Sequence, residues 1–121
     1  MAIEVGARAA AVAGVEVDGP RALVFYKATC SVTQMAGPPL ARLGDAYPGH
    51  VVGVGQDPAE DLASFAVAHA WTFPQVPDLT PYVASDAYGI VSAPTVVVID
   101  DEDVVVAVAE SWDRDAMNVA S

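Results

Sequence analysis

The chain has 121 residues, of which 54% are hydrophobic, and 16 acidic against five basic side chains give a formal net charge of −11. This length suits one domain with a real core, and the apolar content excludes a disordered tail. Without a cluster of Lys or Arg, the chain has no basic footprint for nucleic acid or an anionic membrane surface. We therefore expect no nucleic-acid partner and no membrane partner.

The N-terminal segment is rich in Ala and Val, but it does not have the pattern of a secretory signal. Glu4 precedes the first basic residue, and Gly14, Glu16 and Asp18 interrupt the apolar stretch. A signal needs a basic start and a continuous apolar centre, and a membrane span needs ~18 apolar residues in a row. Since the single cysteine also excludes an intrachain disulfide, we expect a cytoplasmic protein.

The first half of the chain predicts two strands separated by a helix. A loop or small hairpin over residues 3–19 precedes the run ALVFY at 22–26, which is typical of a strand buried on both faces. Apolar residues at helical spacing predict a helix over 31–47, and Gly37-Pro38-Pro39 should kink or split it. The apolar run HVVGVG at 50–55 predicts the second strand.

The second half begins with a helix that starts at Asp57-Pro58, with Asp57 as its N-cap and Pro58 at its first position. A Val-rich hairpin with an acidic tip comes near the end of the chain. The remaining predicted elements are a loop with a short edge strand at 71–82, a short helix at 83–88, hairpin strands at 95–100 and 104–109, and a closing helix at 112–120.

This order of elements predicts the fold class. The first two strands must be parallel because a helix connects them, whereas the hairpin strands must be antiparallel. The result is an α/β fold with a mixed central sheet and helices on both faces. Since no repeat, low-complexity tract or linker divides the sequence, we expect a single domain over residues 1–121.

Cys30 is the only cysteine, and it lies between the first strand and the first helix. Backbone N–H groups at the start of a helix lack partners, and their partial positive charge favours a thiolate. Lys27, the only lysine, would lower the thiol pKa further if its ammonium group lies close by. The alternative is a buried, unreactive cysteine that packs as a small apolar residue. We interpret Cys30 as a functional thiol.

A second candidate feature is Ser92-Ala93-Pro94-Thr95, where a proline directly precedes the strongest predicted strand. Proline cannot donate to a ladder of backbone hydrogen bonds, so it marks a strand start or a bend. Such a position can hold a cis peptide bond, although most bonds that precede proline are trans.

These motifs resemble the thioredoxin-fold superfamily, in particular the redoxin branch of TlpA-like and AhpC/TSA-like thiol proteins. In that branch a Phe/Tyr-rich strand leads into a Cys-x-x-Cys turn, matched here by Val24–Tyr26 and Cys30-Ser31-Val32-Thr33, and Pro38 matches the family's helix-kinking proline. The stretches EVGARAAAVAGVEVDG, VVGVGQDPAEDLASF, FPQVPD and YGIVSAPTVVVID resemble further family segments, the last with the cis-proline at Pro94. The resemblance implies a thioredoxin-like three-layer sandwich.

The chain departs from the family pattern at two places. Thr33 replaces the second cysteine of the motif, and Ala9-Ala10-Ala11-Val12 replaces an Ala-Pro-Phe pattern near the N-terminus. The peroxiredoxin spacing, with a threonine three residues before the reactive cysteine, is also missing, because that position is Lys27 and Thr29 directly precedes Cys30. This difference weakens the case for a peroxidase.

The motifs and the resemblance together predict a site. Cys30 would be the nucleophile, Lys27 would lower its pKa, and Thr33 would either offer a hydroxyl to the thiolate or merely fill the first helical turn. Pro94 and its neighbour Ala93 would face Cys30, and the backbone of Ala93 would bind an extended substrate segment as an added strand. The predicted substrate-binding residues are Ala93, Pro94, Thr29 and Ser31.

Three functions are compatible with one thiol. The first is a monothiol oxidoreductase that needs an external thiol or protein reductant, because no second cysteine can resolve the mixed disulfide. The others are a single-cysteine peroxidase and a redox-inactive binding module. We therefore expect a disulfide- or peroxide-bearing substrate as the partner. Two histidines and one cysteine without ligand spacing predict no metal site, and no cofactor is expected.

Overall fold

The computed structural model of the protein describes residues 4–110, apart from the side chains of residues 31 and 32. Its elements are β1 Arg21–Tyr26, α1 Ser31–Met35, α2 Gly37–Ala46, β2 Val51–Gly55, α3 Ala59–Ala68, β3 Gln75–Pro77, α4 Val83–Ala87, β4 Thr95–Ile99 and β5 Val105–Glu110. The closing helix predicted at 112–120 lies outside the described residues. None of the described helices has the length and apolar character needed to cross a bilayer.

The strands form one mixed sheet in the order β3-β2-β1-β4-β5. The central strand β1 runs parallel to β2, with Ala22 opposite Val51, and antiparallel to β4, with Phe25 opposite Thr95. β3 extends the sheet in parallel beyond β2, and β5 pairs antiparallel with β4. The parallel first pair, the short edge strand and the antiparallel hairpin are confirmed.

Helices cover both faces of the sheet. On one face α2 and α3 pack against Val24 and Tyr26 of β1, while on the other face α4 and Tyr88 pack against Leu23 and Phe25. Successive residues of a strand point to opposite faces, so a strand covered on both faces needs apolar side chains at every position. The predicted α/β fold with a mixed sheet between helical layers is confirmed.

The first predicted helix is divided into α1 and α2, and the division occurs at Ala36. Ala36 is the N-cap of α2, and Pro38 lies in the first turn of that helix. A proline lacks an N–H, and its ring collides with the carbonyl four residues earlier, which here belongs to Gln34. The α1 ladder therefore cannot continue, and of the two predicted outcomes the split is the one observed.

An aromatic cluster joins the loop after α3 to the sheet and to α2. Trp71 lies edge-on to Tyr26 and Phe65, with ring centroids 5.0 and 4.9 Å away, and stacks on Phe73 at 4.8 Å. Its buried indole N–H donates to the carbonyl oxygen of Gly37 at 2.9 Å. The cluster thereby fixes the start of α2 against the rest of the core.

The N-terminal segment, as far as residues 4–20 describe it, is a loop rather than a hairpin. It contains one bridge between Arg8 and Val104, and the hydroxyl of Tyr88 donates to the carbonyl of Ala10. Val12 is buried in the same apolar layer as Tyr88. The loop therefore covers part of the face on which α4 packs.

The assignment of Asp57 as the N-cap of α3 is wrong. The helix begins at Ala59 with Pro58 as its N-cap, and no described side chain makes a cap hydrogen bond. The Asp57 carboxylate is buried, and it accepts the backbone N–H of Ala28 at 2.7 Å instead. The carboxylate oxygen that the local pattern assigned to the helix end thus binds a backbone group that is distant in sequence.

Gly44 in α2 faces the ring of Phe73, and this contact makes a first prediction. A Cβ atom built on Gly44 would lie 2.4 Å from Cδ1 of Phe73. Alanine favours a helix over glycine by about 1 kcal/mol, but forcing extra volume into a packed core costs about 1–3 kcal/mol. We expect Gly44→Ala to lower the free energy of unfolding measured by urea denaturation.

A Phe73→Ala background provides the control for this prediction. With the ring removed, the added methyl has room, and Gly44→Ala should then be neutral or stabilising through its helix propensity alone. An equal loss of stability in both backgrounds would contradict the contact as the cause.

Candidate active site

Cys30 lies on the turn that connects β1 to α1. Its N–H donates to the carbonyl of Lys27 at 3.0 Å, and its carbonyl accepts the N–H of Gln34 at 3.1 Å. The apolar run of β1 ends at Tyr26, so the chain leaves the core here and exposes Lys27. The cysteine is half-buried, between the exposed turn and the buried strand.

The thiol of Cys30 is directed at the segment that precedes β4. Its Sγ donates to the carbonyl oxygen of Ala93 at 3.6 Å, and the Ala93–Pro94 peptide bond is cis. Pro94 is buried, and it leads directly into Thr95, the first residue of β4. The structure thus brings together Cys30 and Ala93, which the family resemblance implied would face each other.

A cavity of about 200 Å³ opens beside the thiol. Cys30, Lys27, Gln56 and Ala93 line it, together with the end of β1 and the segment 90–92. A cavity of this kind can admit a side chain or a short segment of a substrate next to the sulfur. A larger cavity of about 410 Å³ lies at the opposite edge of the sheet, at the start of β1 and β2, and is remote from the cysteine.

The other predicted site residues are distributed around this cavity. Thr29 is exposed on the turn, and Ser31 begins α1, but the side chain of Ser31 lies outside the described part of the chain. Neither Thr29 nor Pro94 is among the described residues that line the cavity. Across residues 4–110, no group of three or more His, Cys, Asp or Glu side chains is arranged to hold a metal ion.

Thr33, at the position of the family's second cysteine, is completely buried. Its Oγ1 has no hydrogen-bond partner among the residues that the structure describes. The predicted hydrogen bond from Thr33 to the sulfur is therefore not formed while the thiol donates to Ala93. A buried hydroxyl without a partner is unfavourable by about 1–3 kcal/mol.

Two residues near the thiol were not identified from the sequence as part of the site. Gln56 lines the cavity, donates its side-chain amide to Ser85 Oγ at 3.0 Å, and donates its backbone N–H to the carbonyl of Tyr26 at 3.0 Å. Asp57 holds the N–H of Ala28. Both follow β2, and the carboxyl ends of neighbouring parallel strands meet at one edge of a sheet. That rule was a signal that could have found them.

Tyr26 ends β1, is one of the residues that line the cavity, and has a buried side chain. Its hydroxyl donates to Oε1 of Gln75 on the edge strand β3. Burial raises the pKa of Tyr26 above its ordinary value of 10.0, and the charge of Asp57 raises it further. The phenol is therefore a neutral donor in the native protein.

The buried hydroxyl of Thr33 leads to a second prediction. Thr33→Val keeps the shape of the side chain and removes a group without a partner, so we expect the free energy of unfolding to rise by about 1 kcal/mol. Thr95→Val is the matched control, because Thr95 is equally buried but its hydroxyl donates to the carbonyl of Ser92 at 2.7 Å. That variant should lose stability, and a loss in both variants would contradict the prediction.

Tyr26 leads to a prediction for alkaline pH. Because the native state holds the phenol proton to higher pH than the unfolded chain, the free energy of unfolding falls as pH rises above about 10. Tyr26→Phe should make this fall shallower in urea titrations between neutral and alkaline pH. The same slope in wild type and in Tyr26→Phe would refute the assignment.

Comparison with known proteins places this chain in a family. The sequence matches the family model described as AhpC/TSA over residues 9–108, whereas none of the curated proteins matches it. A thiol:disulfide interchange protein from Bacteroides sp. has a similar structure, with 23% identity, a TM-score of 0.79, and coverage of 99% of this chain and 90% of its own.

Two further solved structures are also similar. The thioredoxin domain of a thiol-disulfide oxidoreductase from Bacteroides vulgatus shares 22% identity at a TM-score of 0.78, over 98% of this chain and 96% of its own. A secreted Mycobacterium tuberculosis disulfide oxidoreductase shares 17% at 0.70, over 85% and 84%. These likenesses show a common thioredoxin-like fold, and the match over residues 9–108 shows that the chain belongs to the AhpC/TSA family.

Proposed function

We propose that the protein is a monothiol thiol–disulfide oxidoreductase whose nucleophile is Sγ of Cys30. The observation that carries this proposal is the contact between Sγ and the carbonyl of Ala93 at 3.6 Å, where both residues line a cavity. A half-buried thiol beside a cavity can be reached by a substrate sulfur, whereas a core cysteine is inert. The family match and the structural neighbours described as thiol–disulfide proteins support the same class of reaction.

The proposed reaction has two steps, each of which exchanges one S–S bond for another. The Cys30 thiolate attacks a substrate disulfide, forms a mixed disulfide with one sulfur, and releases the other as a thiolate that takes up a proton. An external thiolate then attacks the substrate sulfur of the mixed disulfide, and Cys30 leaves as a thiolate. The external thiol is the reductant, and it ends in a disulfide with the substrate sulfur.

The external thiol is required because Thr33 occupies the position of the resolving cysteine. A hydroxyl cannot form an S–S bond, so the mixed disulfide must persist until another thiol reaches it. Once Cys30 has lost its proton, it can no longer donate to Ala93 and needs donors instead. The Thr33 hydroxyl, which has no partner in the protonated state, is the donor that we assign to the thiolate.

The remaining residues of the predicted site have supporting roles in this proposal. Lys27 lines the cavity and supplies positive charge to the attacking thiolate. The Ala93 backbone, fixed by Pro94, binds an extended substrate segment, and the exposed Thr29 contacts the substrate outside the cavity. We also assign Ser31 as a substrate contact, solely because it follows Cys30 in the sequence.

The proposed partners follow from the chemistry. The substrate carries a disulfide, and the reductant is a small thiol or a thiol protein. A cytoplasmic location stays the prediction from the sequence, while the M. tuberculosis neighbour is described as secreted. Fractionation of cells that produce the chain distinguishes the two locations.

The AhpC/TSA family match also favours a second candidate, a single-cysteine peroxidase. The Cys30 thiolate would attack the O–O bond of a peroxide, become a sulfenic acid and release water or an alcohol, and two external thiols would then reduce it. Lys27, which stands where peroxiredoxins carry a threonine, argues against this function. Trapping of sulfenic acid by dimedone after one equivalent of peroxide would favour it.

The reactivity of Cys30 tests the proposed function. At pH 7 we expect Cys30 to react with dithiodipyridine at least about tenfold faster than free cysteine, because a stabilised thiolate is the reacting form. Cys30→Ser is the blank. Thr33→Cys should convert the persistent adduct into an internal disulfide and give turnover in an insulin reduction assay.

Two results would count against the proposal. A thiol that reacts no faster than free cysteine would favour the redox-inactive binding module. Failure of Thr33→Cys to reduce insulin, in a protein that is folded by circular dichroism, would show that more than the resolving sulfur is missing.

A further inference from the structure

We infer that Asp57 is a positioning residue for the reaction of Cys30. It acts together with Gln34, and the two side chains form hydrogen bonds with the N–H and the carbonyl of Ala28. This inference rests on the proposed function, since it concerns how the same thiol is held. Neither residue contacts the substrate in this scheme. They set the conformation of the turn that carries the sulfur.

Two side chains form hydrogen bonds with the backbone of this one residue, Ala28. Oδ2 of Asp57 accepts the N–H of Ala28 at 2.7 Å, and Nε2 of Gln34 donates to the carbonyl of Ala28 at 3.2 Å. The turn is closed by the bond from Cys30 N to Lys27 O at 3.0 Å. The N–H and the carbonyl of Ala28 thus depend on side chains rather than on a helix or sheet ladder.

The two side chains come from different parts of the fold. Gln34 lies in α1, so its bond ties the turn to the helix that follows it. Asp57 lies 29 positions from Ala28, between β2 and α3, so its bond ties the turn to the neighbouring strand. The turn is therefore fixed from both sides, which is what keeps Sγ of Cys30 at 3.6 Å from the carbonyl of Ala93.

We assign Asp57 to the site because its carboxylate is buried and its hydrogen bond goes to the turn that carries Cys30. Asp57 is 8% exposed, and a buried carboxylate is unfavourable unless hydrogen bonds satisfy it. It makes no cap for α3, which begins two residues later with Pro58 as its N-cap. A charge-assisted bond to a backbone N–H is shorter and stronger than a neutral one, which suits a turn that must not move.

The chain contains a matched control for this residue. Asp78 is 7% exposed and also binds backbone N–H groups, those of Ala84 at 3.1 Å and Ser85 at 2.8 Å. It fixes the start of α4, and among the described residues no hydrogen bond joins it to the turn that carries Cys30. Loss of either carboxylate should destabilise the fold, but only loss of Asp57 should change the chemistry of Cys30.

The experiment measures the rate constant of Cys30 with dithiodipyridine in the full chain, with the thermal midpoint of each variant recorded beside it. We expect Asp57→Ala to slow the reaction at least about tenfold, since loss of orientation is costly at a reacting atom. Asp57→Asn retains an oxygen that can accept from Ala28, so its rate should stay within about threefold of wild type. Asp78→Ala should lower the thermal midpoint and leave the rate unchanged.

Gln34 provides a test that does not remove a buried charge. Gln34→Met preserves side-chain length and helix propensity but cannot donate to Ala28, and we expect about a threefold or greater loss of rate in a fully folded protein. This variant keeps the inference testable if Asp57→Ala does not fold.

The outcomes separate this inference from the proposed function. A wild-type thiol no faster than free cysteine refutes the proposed function itself. A fast wild-type thiol whose rate is unchanged in Asp57→Ala and Gln34→Met leaves that function intact and overturns the positioning role. Equal slowing in Asp57→Ala and Asp78→Ala would also overturn it, because the effect would then be general destabilisation.

Discussion

The pairing of β4 with β1 is the constraint on which the candidate site depends. The two strands run antiparallel with Phe25 opposite Thr95, so the segment just before β4 returns to the turn just after β1. Cys30 and Ala93, 63 positions apart, meet at this point. A shift by one residue would turn the buried side chains of β4 to the opposite face. The apolar layers on both faces therefore hold the register that brings sulfur and carbonyl together.

The parallel half of the sheet supplies the rest of the surroundings. β1, β2 and β3 all end at the edge that carries the thiol, and each is followed by an irregular connection. Buried carboxylates organise two of these connections, Asp57 after β2 and Asp78 after β3, each by accepting backbone N–H groups. The fold thus contributes a rigid frame and one sulfur atom. In the reaction that we propose, Thr33 occupies the position of the resolving cysteine, so a thiol of another molecule must resolve the mixed disulfide.

Local patterns in the sequence predicted most of the fold, because periodicity and proline placement act over short distances. The run ALVFY predicted a strand buried on both faces, and the resemblance indicated that Ala93 would lie opposite Cys30. What depends on a distant partner could not be predicted in the same way. Asp57 has the local pattern of a helix cap, yet its carboxylate binds Ala28. No local pattern predicts that the Thr33 hydroxyl is buried without a partner among the described residues.

The edge strand β3 is only three residues long, and it has a consequence for how copies of the chain meet. Its pairing with β2 uses the backbone carbonyl of Pro74 and the backbone N–H of Asp78. The backbone groups of Gln75 and Pro77 therefore point away from β2, toward the open edge of the sheet. Pro77 has no N–H, and the side-chain amide of Gln75 already donates to the carbonyl of Phe73. Along this strand, a strand from another molecule would find a single backbone donor. Such a border resists the intermolecular stacking that leads a strongly apolar chain to aggregate.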